Sequence, residues 1–153
     1  MRVAAANIET LNAVLTLVGS QFEEHQIAVP IDTLSEAIRV PLIDPTRGAI
    51  FLAFDPEPIG VAVTAFAWTL EHGGLVAWLD ELFVVPACRG RGVGRRLLLR
   101  VLDAAREAGC RAVELEVEAE HARAAHLYAR EGFAPLSRQR WSRRIATPRA
   151  GVV

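Results

Sequence analysis

Residues 80–96 read DELFVVPACRGRGVGRR. The apolar run through Phe83, Val84 and Val85 reads as a buried strand, and Pro86 stops it. Three glycines follow at alternate positions, Gly90, Gly92 and Gly94. A helical pattern then starts without a gap, with Val93, Leu97, Leu98, Val101 and Leu102 on one face. A strand, a glycine loop and a helix start in succession present backbone N–H groups to an anion. The first turn of a helix has unpaired donors and a partial positive charge, and glycine lets a ligand approach the backbone closely. Arg89, Arg91, Arg95 and Arg96 add charge at the same point. The segment predicts a pyrophosphate cradle.

Spacing separates this cradle from two others. The dinucleotide fingerprint G-x-G-x-x-G needs glycine where Arg95 stands, three residues after Gly92. The nucleotide P-loop needs a lysine and a hydroxyl after its last glycine, and here Arg95 and Arg96 follow Gly94. The pattern R-x-x-G-x-G does fit, as Arg89, Gly92 and Gly94 after a strand closing on Val85-Pro86. It resembles the coenzyme-A-binding segment of the GCN5-related N-acetyltransferase (GNAT) family. A second segment, HARAAHLYAREGF at residues 121–133, is similar to a helix of that family. Its alanine is Ala124, its tyrosine Tyr128 and its closing pair Gly132-Phe133, while His121 stands where the family often has asparagine.

The resemblance covers residues 50–135 and implies a GNAT-like α+β fold. The expected sheet is mixed, mostly antiparallel, flanked by helices and splayed at the cofactor site after its fourth strand. The pantetheine of acetyl-CoA would enter the gap and pair with the backbone of Phe83, Val84 and Val85. The pyrophosphate would lie against Arg89, Gly90, Arg91, Gly92, Val93, Gly94 and Arg95. His121 occupies the position from which the family's asparagine commonly contacts the pantetheine arm. The implied activity moves the acetyl group of acetyl-CoA to a primary amine by direct attack in a ternary complex. The rival of another class is a non-catalytic acyl-CoA-binding or sensor module of the same fold.

Acetyl transfer to an amine needs a neutral nucleophile, a stabilised oxyanion and a proton for the leaving thiolate. Tyr128, the chain's one tyrosine, is the expected acid, because a phenol keeps its proton at neutral pH. Asp80 and Glu81 are the candidate bases. Strand alternation puts Trp78, Asp80, Leu82 and Val84 on one face and Leu79, Glu81, Phe83 and Val85 on the other. Asp80 is favoured because it shares a face with Val84; His121 is a third candidate, as imidazole titrates near neutrality. His72 is expected near an acceptor pocket walled by Trp68, Trp78, Phe22 and Phe66, residues that fit a core equally well.

The chain has 153 residues, 52% apolar and 23% charged, which suits one globular domain. The expected division is one domain over residues 1–145 and a tail over 146–153. No apolar run reaches the roughly 18 residues of a membrane span, and no basic region precedes an apolar one at the N-terminus. Cys88 and Cys110 match no metal spacing, so a reduced, cytoplasmic protein without metal is expected. The net charge of −1 hides an asymmetry: residues 1–76 hold nine acids and three arginines, residues 77–153 nine acids and fourteen. An anionic cofactor suits the second half and a cationic acceptor, such as a small molecule or a peptide or protein amine, the first. Five arginines without an acid over residues 138–149 offer RNA a basic strip, but the basic half lacks the interleaved aromatics of a nucleic-acid groove. The expected partners are therefore acetyl-CoA and an amine, with neither membrane nor nucleic acid; a homodimer is compatible with the reading.

Along the chain, residues 2–6 read as an edge strand. Asn7 reads as the cap of a helix with Ile8, Leu11, Val14, Leu15 and Val18 inward, closed by Gly19. Residues 20–28 suggest a short second helix. Asp32 caps another, with Leu34, Ala37 and Ile38 inward, ended by Pro41 and Pro45. Strands are expected over 48–54, 58–70 and 75–85, with turns at Asp55-Pro56-Glu57-Pro58 and His72-Gly73-Gly74. A helix over 92–108, a strand through Val113, Leu115 and Val117, a helix over 121–131 and a last strand or hairpin over 133–144 complete the order.

Overall fold

A computed structural model describes residues 1–145 of the chain. The chain divides into two compact units, Met1–Glu118 and a second that begins at Ala119. The expected tail over 146–153 lies outside the described residues.

The first unit holds a five-stranded sheet in the order β1 (Arg2–Ala5), β2 (Gly48–Phe54), β3 (Pro58–Thr69), β4 (Gly74–Val84), β5 (Ala112–Leu115). The first four strands are antiparallel neighbours, and β5 runs parallel to β4. Two helices, α1 (Leu11–Glu24) and α2 (Ile31–Ile43), cover one face. Leu11, Val14 and Val18 of α1 and Leu34 and Ile38 of α2 pack with Ile50, Leu52, Val61 and Phe83 of the sheet. Helix α3 (Val93–Glu107) covers the other face, where Arg100 lies over the Phe51 ring, 4.8 Å from its centroid. Coverage on both faces explains why Phe51, Leu52 and Ala53 are all buried, with no polar residue between them.

Two glycines set close approaches. A Cβ on Gly48 would run into the carbonyl oxygen of Thr64 on the neighbouring strand. One on Gly60 would lie 3.0 Å from Leu97 Cδ1 and 3.3 Å from Val93 Cγ1, so the bare backbone lets the start of α3 sit close against β3.

The expected order of elements holds, with local corrections. Asn7 caps as expected, accepting from the Glu9 and Thr10 amides, but the first turn is a 3₁₀ turn over Ile8–Thr10. Gly19 does not close α1, and residues 20–24 continue it rather than forming a second helix. Burial of Gln21 on the face shared with Leu17 and Val18 outweighs the roughly 1 kcal/mol penalty of a helical glycine. Pro30, not Asp32, is the N-cap of α2, and Ala37 is exposed. Pro41 lies inside α2, in its last turn, where only one intrahelical bond is forfeited. β5 ends at Leu115, and Val117 is exposed. Residues 133–145 form no strand: residues 134–145 are exposed, arginine-rich and without alternating apolar positions.

The second unit contains α4 (Ala122–Arg130). Its end is a two-bond stop: the Phe133 amide donates to the Tyr128 carbonyl at 3.0 Å and the Gly132 amide to Ala129 at 3.2 Å. Gly132 takes φ 90°, and the rings of Phe133 and Tyr128 meet edge to face at 5.8 Å. The Schellman stop and its apolar contact are what Gly132-Phe133 encode.

Candidate active site

The strand–loop–helix segment folds as its residues dictate. Gly92 is the N-cap of α3 with φ 80°, and Gly90 takes the same value. No side chain caps the helix and its first turn carries no acid. The donors of Val93 and Gly94 in that turn have no intrahelical acceptor by the geometry of any helix start, so the end is suited to an anion. Buried Val93, Leu97 and Leu98 fix it against the sheet.

Three of the four arginines fasten the cradle to the protein. Pro86–Cys88 form a 3₁₀ turn that folds Arg89 back along β4. Its Nε donates to the Val84 carbonyl at 2.9 Å and its Nη2 to Glu24 at 2.7 Å, tying the end of α1 to the end of β4. Arg91 pairs with Asp55 at 2.9 Å, and Arg96 donates to the Met1 carbonyl at 3.2 Å. Arg95 lies in the first turn of α3.

Parallel pairing of β4 with β5 covers only Val76–Leu79. Beyond Leu79, β4 continues to Val84 with no strand on that side among the described residues. The Val85 amide is taken by Ile59 on the β3 side, at 3.0 Å. Alternation then turns the backbone groups of Leu82 and Val84 to the open edge, and those of Phe83 and Val85 toward β3. This corrects the expected Phe83–Val85 edge: of those three residues, Val84 alone faces outward.

A register shift between Val63 and Thr64 places Glu81 opposite Val63 and Leu79 opposite Thr64, so Asp80 is the extra residue of a bulge. The bulge overturns the strict alternation of faces. Asp80 and Glu81 both line one small cavity of about 90 Å³ between the sheet and helices α1 and α2. Asp80 is exposed and accepts from Trp78 Nε1 at 3.1 Å. Glu81 is half-buried. Burial raises its pKa from 4.5 to about 7, the Asp80 charge pushes in the same direction, and a hydrogen bond with Gln21 opposes both. Phe22 and Leu34 also line this cavity, and both also line a larger groove of about 520 Å³ that reaches Ile27–Ile31.

The acetyltransferase (GNAT) family model matches residues 11–133, spanning the α1–α2 layer, strands β2–β5, the cradle and α4. The chain belongs to this family. It is 41% identical over 76 residues to the mycothiol acetyltransferase of Beutenbergia cavernae, covering 50% of this chain and 26% of that one. It is 39% identical over 75 residues to the IAA acetyltransferase of Azospirillum brasilense, covering 49% of each. The chain thus spans about a quarter to a third of the mycothiol acetyltransferases it matches and about half of the Azospirillum protein. An integron cassette protein from the Cole Harbour Salt Marsh metagenome superimposes with a TM-score of 0.84 at 29% identity, over 95% of this chain and 91% of that one. An aminoglycoside N-acetyltransferase crystallised with coenzyme A superimposes with a TM-score of 0.80 at 22% identity, over 95% of each chain. The expected GNAT-like α+β fold is therefore correct.

The structure puts the cradle residues, Asp80 and Glu81 in the first unit, and His121 and Tyr128 in the second. His121 is the N-cap of α4 and Tyr128 lies two residues before its last residue, Arg130. His72 pairs with Glu114 at 2.7 Å and is not among the residues lining either cavity. Of the four aromatics proposed as a wall, Phe22 alone lines the cavities, and Trp68 is 73% exposed. Gln21 was missed. Its signal was a polar residue on the apolar stripe of α1, hidden once the helix was taken to stop at Gly19. No helix among the described residues is long and apolar enough to cross a membrane.

Proposed function

We propose that the chain is an N-acetyltransferase that moves the acetyl group of acetyl-CoA to a primary amine by direct attack in a ternary complex. The single observation that carries the reading is the helix start at Gly92, uncapped by any side chain and adjoining the open edge of β4. The α3 amides and the Arg95 side chain hold the pyrophosphate. The outward groups of Leu82 and the outward amide of Val84, whose carbonyl is held by Arg89 Nε, offer the pantetheine amides a strand to pair with.

Glu81 is the base. With a pKa of about 7 it is partly ionised at neutral pH and is matched to taking a proton from an ammonium. The neutral amine attacks the thioester carbonyl, the nitrogen of the adduct releases its extra proton to water, the carbon–sulfur bond breaks, and the thiolate takes a proton. Tyr128 supplies that proton, the role its place in the family pattern assigns it. His121 occupies the position of the family pattern where asparagine is usual. Asp80 adds to burial in raising the Glu81 pKa and turns a carboxylate toward the cationic acceptor. Two free thiols, Cys88 and Cys110, suit a reduced cytoplasmic setting.

The test is thiol release from acetyl-CoA across a panel of amines, with pH–rate profiles for wild type, Glu81→Gln and Asp80→Asn. Glu81→Gln should lose most rate from about pH 7 upward, where the wild-type carboxylate is ionised and the amine is still an ammonium. The gap should close below about pH 6, where the wild-type carboxyl is itself protonated, and at high pH, where hydroxide deprotonates the amine. A wild-type profile for Glu81→Gln would remove it as the base, and a loss confined to Asp80→Asn would move the role there.

A further inference from the structure

The lining of the α1–α2 groove carries an inference about the acceptor, which rests on the acetyl-transfer reading. We infer that the acceptor is a primary amine with a single cationic head and a compact apolar body, an arylalkyl- or alkylamine.

At about 520 Å³ the larger cavity is in the size range of small-molecule sites. Phe22, Ile27, Val29, Pro30, Ile31 and Leu34 supply its walls, and Glu23 is the one charged residue among those that line it. Ile27, Val29 and Ile31 are 47%, 36% and 60% exposed, a run of apolar side chains at one mouth. An apolar body lying there would remove these side chains from water. The inner cavity of about 90 Å³ has about the volume of three waters, room for an aminoethyl head. Asp80 and Glu81 line it, and α1, α2 and β3 turn no basic residue into either cavity.

The charge pattern separates ligand classes. Beyond the head held by Asp80 and Glu81, a polyamine or an aminoglycoside would bring two or more ammonium groups to outer walls that offer one carboxylate, Glu23, leaving at least one against apolar side chains without a partner. A phosphonate or carboxylate would meet carboxylates and no cation, a repulsive pairing. One ammonium at the inner end and apolar atoms outside it satisfy both cavities.

The experiment compares kcat/KM for 2-phenylethylamine, hexylamine, spermidine, kanamycin and 2-aminoethylphosphonate by thiol release from acetyl-CoA. The first two should exceed the other three by at least about tenfold. Ile31→Ser and Val29→Ser, at exposed positions that leave the core intact, should each lower kcat/KM for 2-phenylethylamine by about tenfold and leave coenzyme A affinity unchanged. Preference for spermidine, kanamycin or the phosphonate overturns the inference while acetyl transfer stands. If no amine is acetylated, calorimetry with 2-phenylethylamine decides. Binding that Ile31→Ser weakens supports the groove's ligand class and removes the enzymatic reading; no binding overturns both.

Discussion

Replacing Glu81 with glutamine should stabilise the protein at pH 8 and leave it unchanged at pH 4. In the fold the carboxyl has a pKa of about 7, against 4.5 ordinarily. Below pH 4.5 folded and unfolded chains both hold the proton, and burial exacts nothing. Between 4.5 and about 7 the unfolded chain releases it first, so the folded state binds more protons and stability falls as pH rises. Above about 7 the whole penalty is present. At about 1.4 kcal/mol for each tenfold change in proton affinity, the ceiling is about 3–4 kcal/mol, and water reaching the half-buried group lowers it. Glutamine keeps the shape and cannot ionise. Urea denaturation of both proteins at pH 4, 5, 6, 7 and 8 should show a gap that opens through pH 5–7 and then levels. In thermal melts each kcal/mol corresponds to about 2–4 °C for a chain of this size. A gap of equal size at every pH, or a glutamine variant less stable at pH 8, would refute the argument. The same substitution should slow acetylation, so stability and turnover should move in opposite directions above neutrality.

Gly92→Val should abolish measurable coenzyme A binding by calorimetry while circular dichroism stays native. Nothing lies within 4 Å of the new Cβ, but a β-branched residue at φ 80° distorts the loop at a cost of about 1–3 kcal/mol. Tyr128→Phe keeps the ring packed on Phe133 and should lower turnover roughly 10²–10⁴-fold with cofactor affinity intact; turnover within a few-fold of wild type would leave Tyr128 a packing residue. Gly48→Ala should destabilise the sheet by more than about 1 kcal/mol in urea melts, because its methyl meets the Thr64 carbonyl on the rigid neighbouring strand.

What sequence reading reached was local chemistry. Glycines at 90 and 92, Pro86 and the apolar stripe of α3 specify strand, loop and helix within fifteen residues, and Gly132-Phe133 specify their own helix stop. The failures are places where distant residues decide. Gly19 stays helical because Gln21 and Phe22 have the sheet and α2 to pack against, which no local penalty reveals. Pro41 is tolerated because it falls in a final turn whose position depends on where α2 starts. The acid pair was found but sorted wrongly: alternation gave Asp80 and Glu81 opposite faces, and the bulge opposite Val63 and Thr64 gives them one cavity. A bulge depends on the register of two strands, and the sequence of β4 alone does not carry it. The α1–α2 groove was invisible for the same reason, since two helices and a loop build it together.

The absence of a side-chain cap at the start of α3 also makes the ligand part of the folding equilibrium. A helix whose own cap is glycine leaves its first donors to water in the free protein and, on the proposed reading, to the pyrophosphate in the complex. Any species that binds only the folded chain adds RT ln(1 + [L]/Kd) to its stability, about 2.7 kcal/mol at a hundredfold excess over Kd. By the size scaling used above, that is a rise in melting temperature of several degrees. The protein's resistance to heat and to proteases would then follow the supply of coenzyme A, so that in a cell the abundance of the catalyst would track that of its own acyl donor.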